Sequence, residues 1–325
     1  MIIITGAAGM IGSVVAWHFN EILNENSLIL CDDMASGNQE KNFSKRQIVD
    51  FIKKDDLDKM LAQSDTSKIE AIIHMGAISA TTESNFSRLI ADNIRFSQNL
   101  WAFCSNNKIP YIFASSAATY GDGDSGYSDE SVANLNPLNA YGYSKHFFDQ
   151  WALAKDKNSS PPFWAGCKFF NVYGPNEYHK GRMSSVVFHA FNQIQKDGNI
   201  KLFKSNHPKF KDGEQLRDFI YVKDAVNAII HLLTAKPTPG IYNIGTGKAQ
   251  TFYQLAKALV INHKKTEDNI KFIEMPNDLN GKYQYFTEAK IEKLIHSGYT
   301  KSFMNLEEGV TDYYQNYLSK EDQYL

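Results

Sequence analysis

Residues 2–33 read IIITGAAGMIGSVVAWHFNEILNENSLILCDD, and their order decides the fold. Ile2 to Thr5 is a short β-branched run, the composition of a strand. Gly6, Gly9 and Gly12 follow at G-x-x-G-x-x-G spacing. Val14, Val15, Phe19, Ile22 and Leu23 then recur at helical spacing through Ser13–Leu23. Ser27 to Cys31 is a second apolar strand, ending at Asp32-Asp33. Strand, glycine turn, helix, strand and acid make one βαβ unit of the size that binds a dinucleotide. The start of a helix offers unpaired N–H groups and partial positive charge, both suited to a pyrophosphate. Gly6 permits the tight turn, Gly9 the close approach of backbone to phosphate, and Gly12 the packing of helix on strand.

The alternation continues outward. AIIHM (71–75) reads as a strand, Asp92 to Asn106 as an amphipathic helix, and PYIFASS (110–116) as a third strand of the same kind. Asn139 to Ala154 reads as a long helix, and Trp164 to Asn171 as a strand running into Val-Tyr-Gly-Pro. Short apolar strands alternating with helices predict a parallel sheet covered on both faces. After Pro175 the rhythm breaks: residues 176–217 are polar and aromatic, with HPKFKDGEQ (207–215) as an exposed loop. It returns with FIYV (219–222), a helix over 223–235 and the strand IYNIG (241–245); residues 247–325 read as mostly helical, with a polar–aromatic patch from Gly281 to Phe286. The expectation is an α/β fold: a Rossmann-like doubly wound parallel sheet over residues 1–175, completed by about 218–246. A smaller C-terminal substrate-binding lobe is expected from 176–217 and 247–325.

Composition narrows the class. Of 325 residues 43% are hydrophobic and 13% aromatic, enough for a sizeable core, which excludes wholesale disorder. Lys plus Arg number 34 and Asp plus Glu 36, for a net charge of −2, so there is no polybasic field for nucleic acid. Cys31, Cys104 and Cys167 are odd in number and widely spaced, which fits a reducing compartment better than a disulfide scaffold. No apolar run approaches the ~18–20 residues a bilayer requires. The start MIIITGAAGMIGS lacks a basic leader, so the expected location is the cytoplasm, without membrane or nucleic-acid partners. No Cys/His cluster has metal-ligand spacing, and no metal is expected.

A reactive centre is legible in Tyr141-Gly-Tyr-Ser-Lys145. Four residues apart on a helix, the phenol and the ammonium share a face. A free tyrosine titrates near ~10. A neighbouring Lys⁺ and a positive nicotinamide ring would favour the phenolate and let Tyr141 act as a base. Lys145 would also hold the nicotinamide ribose, and Ser116, at a strand end, would hydrogen-bond the reacting hydroxyl. Asp32 and Asp33 stand where a carboxylate binds adenosine ribose hydroxyls, which by itself favours NAD over NADP. Lys41 and Lys45 downstream suit either a 2′-phosphate or a solvated loop. His74 reads as a packed core imidazole. Gly76, Ala77, Ile78 and Ser79 beyond it would let a cofactor lie along the strand ends.

Taken together, these elements resemble the extended short-chain dehydrogenases/reductases that modify nucleotide sugars, and more narrowly the ADP-L-glycero-D-manno-heptose 6-epimerase family. The matching stretches are MIIITGAAGMIGS, HMGAIS (74–79) with Thr81-Thr82-Glu83, SSAATYG (115–121), NAYGYSK (139–145), KFFNVYGPNEYHKGRMSSVVFH (168–189), RDFIYV (217–222), YNIGTGKAQTF (242–252) and GKYQYFTEAKIEKL (281–294). The glycine motif and Y-x-x-x-K are common to the superfamily; YHKGRMSSV and GKYQYFT are narrower signals.

The resemblance implies a catalytic trio of Ser116, Tyr141 and Lys145, with Lys180 as a second proton-transfer residue. It implies cofactor contacts at Met10, Ile11, Asp32, Asp33, Met75, Asn93, Val172 and Lys180, beside the glycine turn and the 76–79 loop. Substrate contacts follow at Asn171, Arg182, His189, Arg217 and Tyr283, with Phe203, Lys204, Ser205 and Asn206 beside the nucleotide. It further implies one tightly bound NADP per subunit (NAD being the runner-up), an ADP-heptose substrate and a homo-oligomer, in this family a pentamer. The implied reaction inverts C6 of the heptose through a transient 6-keto sugar. A UDP-hexose 4-epimerase, or another nucleotide-sugar epimerase, would share the trio. A 4,6-dehydratase needs an Asp-Glu pair where this chain has Ala117-Ala118. A non-catalytic NAD(P)-sensing protein would be expected to lack the tyrosine or the lysine.

Overall fold

The computed structural model describes residues 1–34, 38–276 and 284–325. The chain begins with β1 (Ile2–Thr5), β2 (Leu28–Asp32), β3 (Asp50–Lys53), β4 (Ala71–His74), β5 (Tyr111–Ser116) and β6 (Trp164–Phe169). It then runs through β7 (Asn171–Tyr173), β8 (Ile200–Phe203), β9 (Leu216–Tyr221), β10 (Gly240–Ile244), β11 (Ala249–Thr251) and β12 (Ile270–Ile273). Among the described residues, the main sheet has seven parallel strands in the order β3-β2-β1-β4-β5-β6-β10.

The apolar runs of β1, β2 and β4 follow from burial on both faces. Their period of two divides each strand between two cores. Ile2, Ile4, Leu28, Leu30, Ala71 and Ile73 pack on one side, with Val14 and Val15 of the helix Met10–Trp17 and Ile229 of the helix Val222–Ala235. Ile3, Ile29 and Ile72 face the other, with Leu57 of the helix Lys54–Gln63, Trp101 of Phe96–Asn107 and Phe148 of Ala140–Leu153. Helices thus cover both faces, and the fold is a Rossmann-like doubly wound sheet.

Strand order reverses between β1 and β4, which opens a crevice at their carboxyl ends. Gly6 leaves β1 there with φ +66, and a Cβ on it would lie 2.4 Å from the Gly76 nitrogen beyond β4. The two chains exit in contact, so only glycine fits at Gly6.

β10 completes the sheet at its edge, but β9, which leads toward it, does not join. It pairs parallel with β7 and antiparallel with β11 in a separate three-stranded sheet. The buried Asp218 carboxylate anchors it, accepting hydrogen bonds from the backbone N–H groups of Thr246 (2.7 Å), Gly247 (2.9 Å) and Ala289 (3.0 Å). Within 247–325 lie the helices Phe252–Asn262, Glu292–His296 and Leu306–Tyr313, together with β11 and β12; β12 pairs in parallel with β8.

Candidate active site

Ser116 ends β5 in extended backbone, and its hydroxyl accepts from the Ala118 N–H (3.1 Å) to cap the short turn Ala117–Tyr120. Asn139 caps the next long helix by accepting from the Gly142 N–H at 2.9 Å. That helix is pressed onto the turn after Ser116: a Cβ on Gly142 would stand 2.8 Å from the Ala118 carbonyl oxygen and 2.9 Å from Pro137 Cβ. The close approach sets the Tyr141 side chain beside Ser116. Lys145, one turn on, donates from Nζ to the Ala114 carbonyl at 2.9 Å. Tyr141 and Lys145 are 8% and 4% exposed.

Burial governs the titration of both groups. It raises the Tyr141 phenol above its ordinary value, opposed by the Ser116 hydrogen bond. It pulls the Lys145 ammonium down to about 8, opposed by the Asp149 carboxylate. Sequence reasoning expects Lys145 to draw the phenol down toward working pH. In the structure desolvation is the larger influence, because the phenol is buried.

Behind the pair, Ser144 Oγ donates to the Tyr141 carbonyl (2.7 Å) and Asn93 Nδ2 donates to Ser144 Oγ (2.9 Å). Asn93 also exchanges hydrogen bonds with the Ile78 backbone, at 2.8 and 3.0 Å. It lies in a π-helical stretch, Ile90–Arg95, a widened turn of the kind often found at functional sites. Its buried amide ties the 76–79 loop to the Tyr141 helix.

The glycine turn fits a dinucleotide pyrophosphate. Gly9 precedes the helix Met10–Trp17, which has no side-chain cap and no acid in its first turn, so the positive end is left for an anion. A Cβ on Gly12 would stand 2.2 Å from the Gly6 oxygen. Asp32 Oδ2 accepts from the Ala8 N–H at 2.8 Å and braces the turn, while Asp33 is exposed. Burial raises the Asp32 carboxyl. Met10 and Gly12 are buried; Ile11, Met75, Gly76, Ala77 and Ile78 are half-buried, and Ser79 is exposed. His74 is packed, hydrogen-bonding Thr5 Oγ1 (2.6 Å) and Ser97 Oγ (2.9 Å).

Lys180 lies half-buried in the turn Tyr178–Met183. Burial lowers its ammonium, opposed by the buried Glu177 carboxylate. Glu177 in turn accepts from the Ser185 hydroxyl (2.7 Å) and the Ser185 N–H. This turn is tied to the glycine turn. Asn42 Nδ2 donates to the Ala8 carbonyl (2.7 Å) and the Asn176 carbonyl (3.1 Å), and lies 3.2 Å from His179 Nδ1. Asn176 Nδ2 donates to Ser13 Oγ at 3.0 Å. Sequence reasoning missed Asn42, Asn176 and Glu177, since no local spacing marks them.

Asn171 is exposed and Val172 half-buried at the start of β7. Arg217 is buried, donating to the carbonyls of Leu216 (2.9 Å) and Gln284, with its guanidinium 5.5 Å from the Phe252 ring centre. Arg182 is exposed, and His189 Nε2 lies 3.3 Å from its carbonyl oxygen. Phe203 ends β8. Lys204 Nζ beyond it lies 2.6 Å from Glu274, the Ser205 N–H donates to Asp212 (2.9 Å), and Asn206 is exposed. Tyr283 lies outside the described residues.

A separate open cleft of about 620 Å³ lies at the opposite, amino-terminal edge of the sheet, lined by Glu70, Lys108, Pro110, Phe163 and Lys236. It contains none of the trio. Among the described residues, no cluster of His, Cys, Asp or Glu could hold a metal ion, and no helix is long and apolar enough to cross a membrane.

The sequence model of the NAD dependent epimerase/dehydratase family matches residues 2–245. The ADP-L-glycero-D-manno-heptose-6-epimerase of Fusobacterium nucleatum subsp. nucleatum is 52% identical over 335 aligned residues, covering 100% of both chains. That of Nitratidesulfovibrio vulgaris strain DP4 is 44% identical over 328, again covering 100% of both. The crystal structure of the Helicobacter pylori ADP-L-glycero-D-manno-heptose-6-epimerase superposes with a TM-score of 0.81 at 26% identity, over 97% of this chain and 95% of that one.

Proposed function

The chain belongs to the NAD dependent epimerase/dehydratase family and, within it, to the ADP-L-glycero-D-manno-heptose-6-epimerases, and from that premise we propose how it acts. The substrate is ADP-D-glycero-D-manno-heptose and the product its L-glycero epimer. The substrate reading is carried by the 52% identity over the whole of both chains, and the reaction by the Ser116–Tyr141–Lys145 arrangement at the carboxyl end of β5, beside the β1–β4 crevice.

C6 of the heptose bears a hydroxyl and has no acidifying neighbour, so removing its hydrogen as a proton is unfavourable. A bound nicotinamide dinucleotide supplies reversible hydride exchange, which makes C6 a planar ketone that can be reduced on either face, and in its oxidised form a positive charge. The glycine turn, Asp33 and the 76–79 loop would hold it, with Lys145 at the ribose. We assign NADP as the resident form, following the family resemblance; mass spectrometry of the nucleotide released from the purified protein distinguishes it from NAD.

Tyr141 takes and returns the hydroxyl proton of one epimer, and a second group does so for the other. Ser116 fixes the hydroxyl against the phenol. The Lys145 ammonium stabilises the phenolate, offsetting the burial that disfavours it. Lys180, with its ammonium lowered by burial, serves as the second proton-transfer group. The ADP portion lies against Phe203–Asn206 and Arg217, leaving the C6 end free to turn between hydride transfers.

The test is direct incubation with ADP-D-glycero-D-manno-heptose, followed by NMR of the C6 proton. Conversion to the L-glycero epimer, with UDP-glucose left unchanged, supports the reading. Turnover of UDP-glucose without turnover of the heptose overturns it.

A further inference from the structure

Behind the trio lies a buried ion pair that the proposed chemistry does not use. Lys168 sits within the apolar strand β6, and Asp149 lies eight residues beyond Tyr141 on the same helix; both are 0% exposed. Lys168 Nζ is 2.7 Å from Asp149 Oδ2. A buried ion pair is a poor source of stability, and an apolar pair of similar volume often serves as well. Its other contacts indicate a different role.

Ser115 Oγ donates to the same Asp149 oxygen at 2.7 Å. Lys168 Nζ donates to Thr119 Oγ1 at 2.6 Å, and Thr119 Oγ1 donates to the Ser116 carbonyl at 2.9 Å. Ser115 and Lys168 face each other in the β5–β6 register. Ser116 is therefore held from both sides by one ion pair, through its preceding residue and through its own carbonyl. The carboxylate of that pair belongs to the helix carrying Tyr141 and Lys145.

We infer that Asp149 and Lys168 are positioning residues: they lock Ser116 to the Tyr141 helix, and the Asp149 carboxylate holds Lys145 cationic. The second half rests on the proposed role of the trio. The titratable groups set against Lys145 are Tyr141 and Asp149, one turn before and one turn after it on the same helix, and His74 from β4. Burial lowers the His74 imidazole to about 3, so it supplies no charge at neutral pH. Asp149 lies four residues beyond Lys145 on the helix Ala140–Leu153, so the two side chains share a face, and its carboxylate acts against the burial that pulls Lys145 down.

The test is the titration of Lys145 in the holoenzyme, followed by NMR of ¹³Cε-labelled lysine and assigned by the resonance missing from Lys145→Arg. Removing a nearby negative charge makes the ammonium easier to deprotonate. In Asp149→Asn the Lys145 midpoint moves down by about one pH unit, and kcat at pH 8 falls with KM unchanged. Asp149→Glu restores part of both. The double variant Asp149→Leu/Lys168→Met removes both buried charges, so it melts near wild type, while its kcat stays low because Ser116 has lost its lock. A Lys145 midpoint unmoved in Asp149→Asn, or a wild-type kcat in the double variant, overturns the inference. The titration needs no substrate, so failure of the wild type to turn over ADP-heptose strikes the functional reading alone.

Discussion

The Lys145 ammonium lies 2.9 Å from the Ala114 carbonyl oxygen, two residues before Ser116 on β5. One hydrogen bond thus ties the helix that carries the phenol to the strand that carries its hydroxyl partner. Tyr141→Phe leaves this tie intact and removes the proton acceptor. Turnover should fall roughly 10²–10⁴-fold in both directions, with little change in thermal unfolding. Near-normal rates in both directions would remove Tyr141 from the chemistry.

Lys180→Met tests the two-base version separately. The lysine is half-buried in a turn braced by Glu177, not in the Tyr141 helix. Its loss should slow reaction from one epimer much more than from the other in single-turnover measurements. Equal slowing of both, or of neither, leaves Tyr141 as the single base.

Gly12→Ala tests the dinucleotide turn. The new Cβ would meet the Gly6 backbone oxygen at 2.2 Å, a contact that no rotamer change relieves. The purified variant should carry far less bound nucleotide than wild type, measured by absorbance after denaturation. Full nucleotide content would show that the turn is not the phosphate site.

His74 predicts an acid-side stability slope. Burial pulls it from 6.5 to about 3. Between those values the unfolded chain takes up a proton that the folded chain refuses, so stability is lost as pH falls through that window. The contribution approaches about 1.4 kcal/mol per pH unit. In urea titrations between pH 6.5 and 4, His74→Gln should lose stability less steeply than wild type. Identical slopes would count against a neutral, packed His74.

These features differed in how far the sequence revealed them. β1, β2 and β4 were legible because burial on both faces demands unbroken apolar runs. The glycine turn was legible because close backbone approach excludes side chains at Gly6 and Gly12. Tyr141 and Lys145 were legible because helical geometry converts a spacing of four into a shared face. β3 was missed because it is a partly exposed edge strand with a charged residue at each end, Asp50 and Lys53. The separate pairing of β9 could not be read, since its apolar run suits either sheet and the Asp218 anchor is tertiary. The Asp149–Lys168 pair joins a helix to a strand 19 residues away, and Asn42 reaches Asn176 across 134. Such pairs leave no local period to read.

The central claim is that C6 is inverted by oxidation and re-reduction inside one closed site. The most direct test uses ADP-D-glycero-D-manno-heptose carrying deuterium at C6, converted in ordinary water, with the product analysed by mass spectrometry and NMR. The account predicts that the L-glycero product keeps its deuterium at C6. Product carrying protium from the water at that carbon would contradict it.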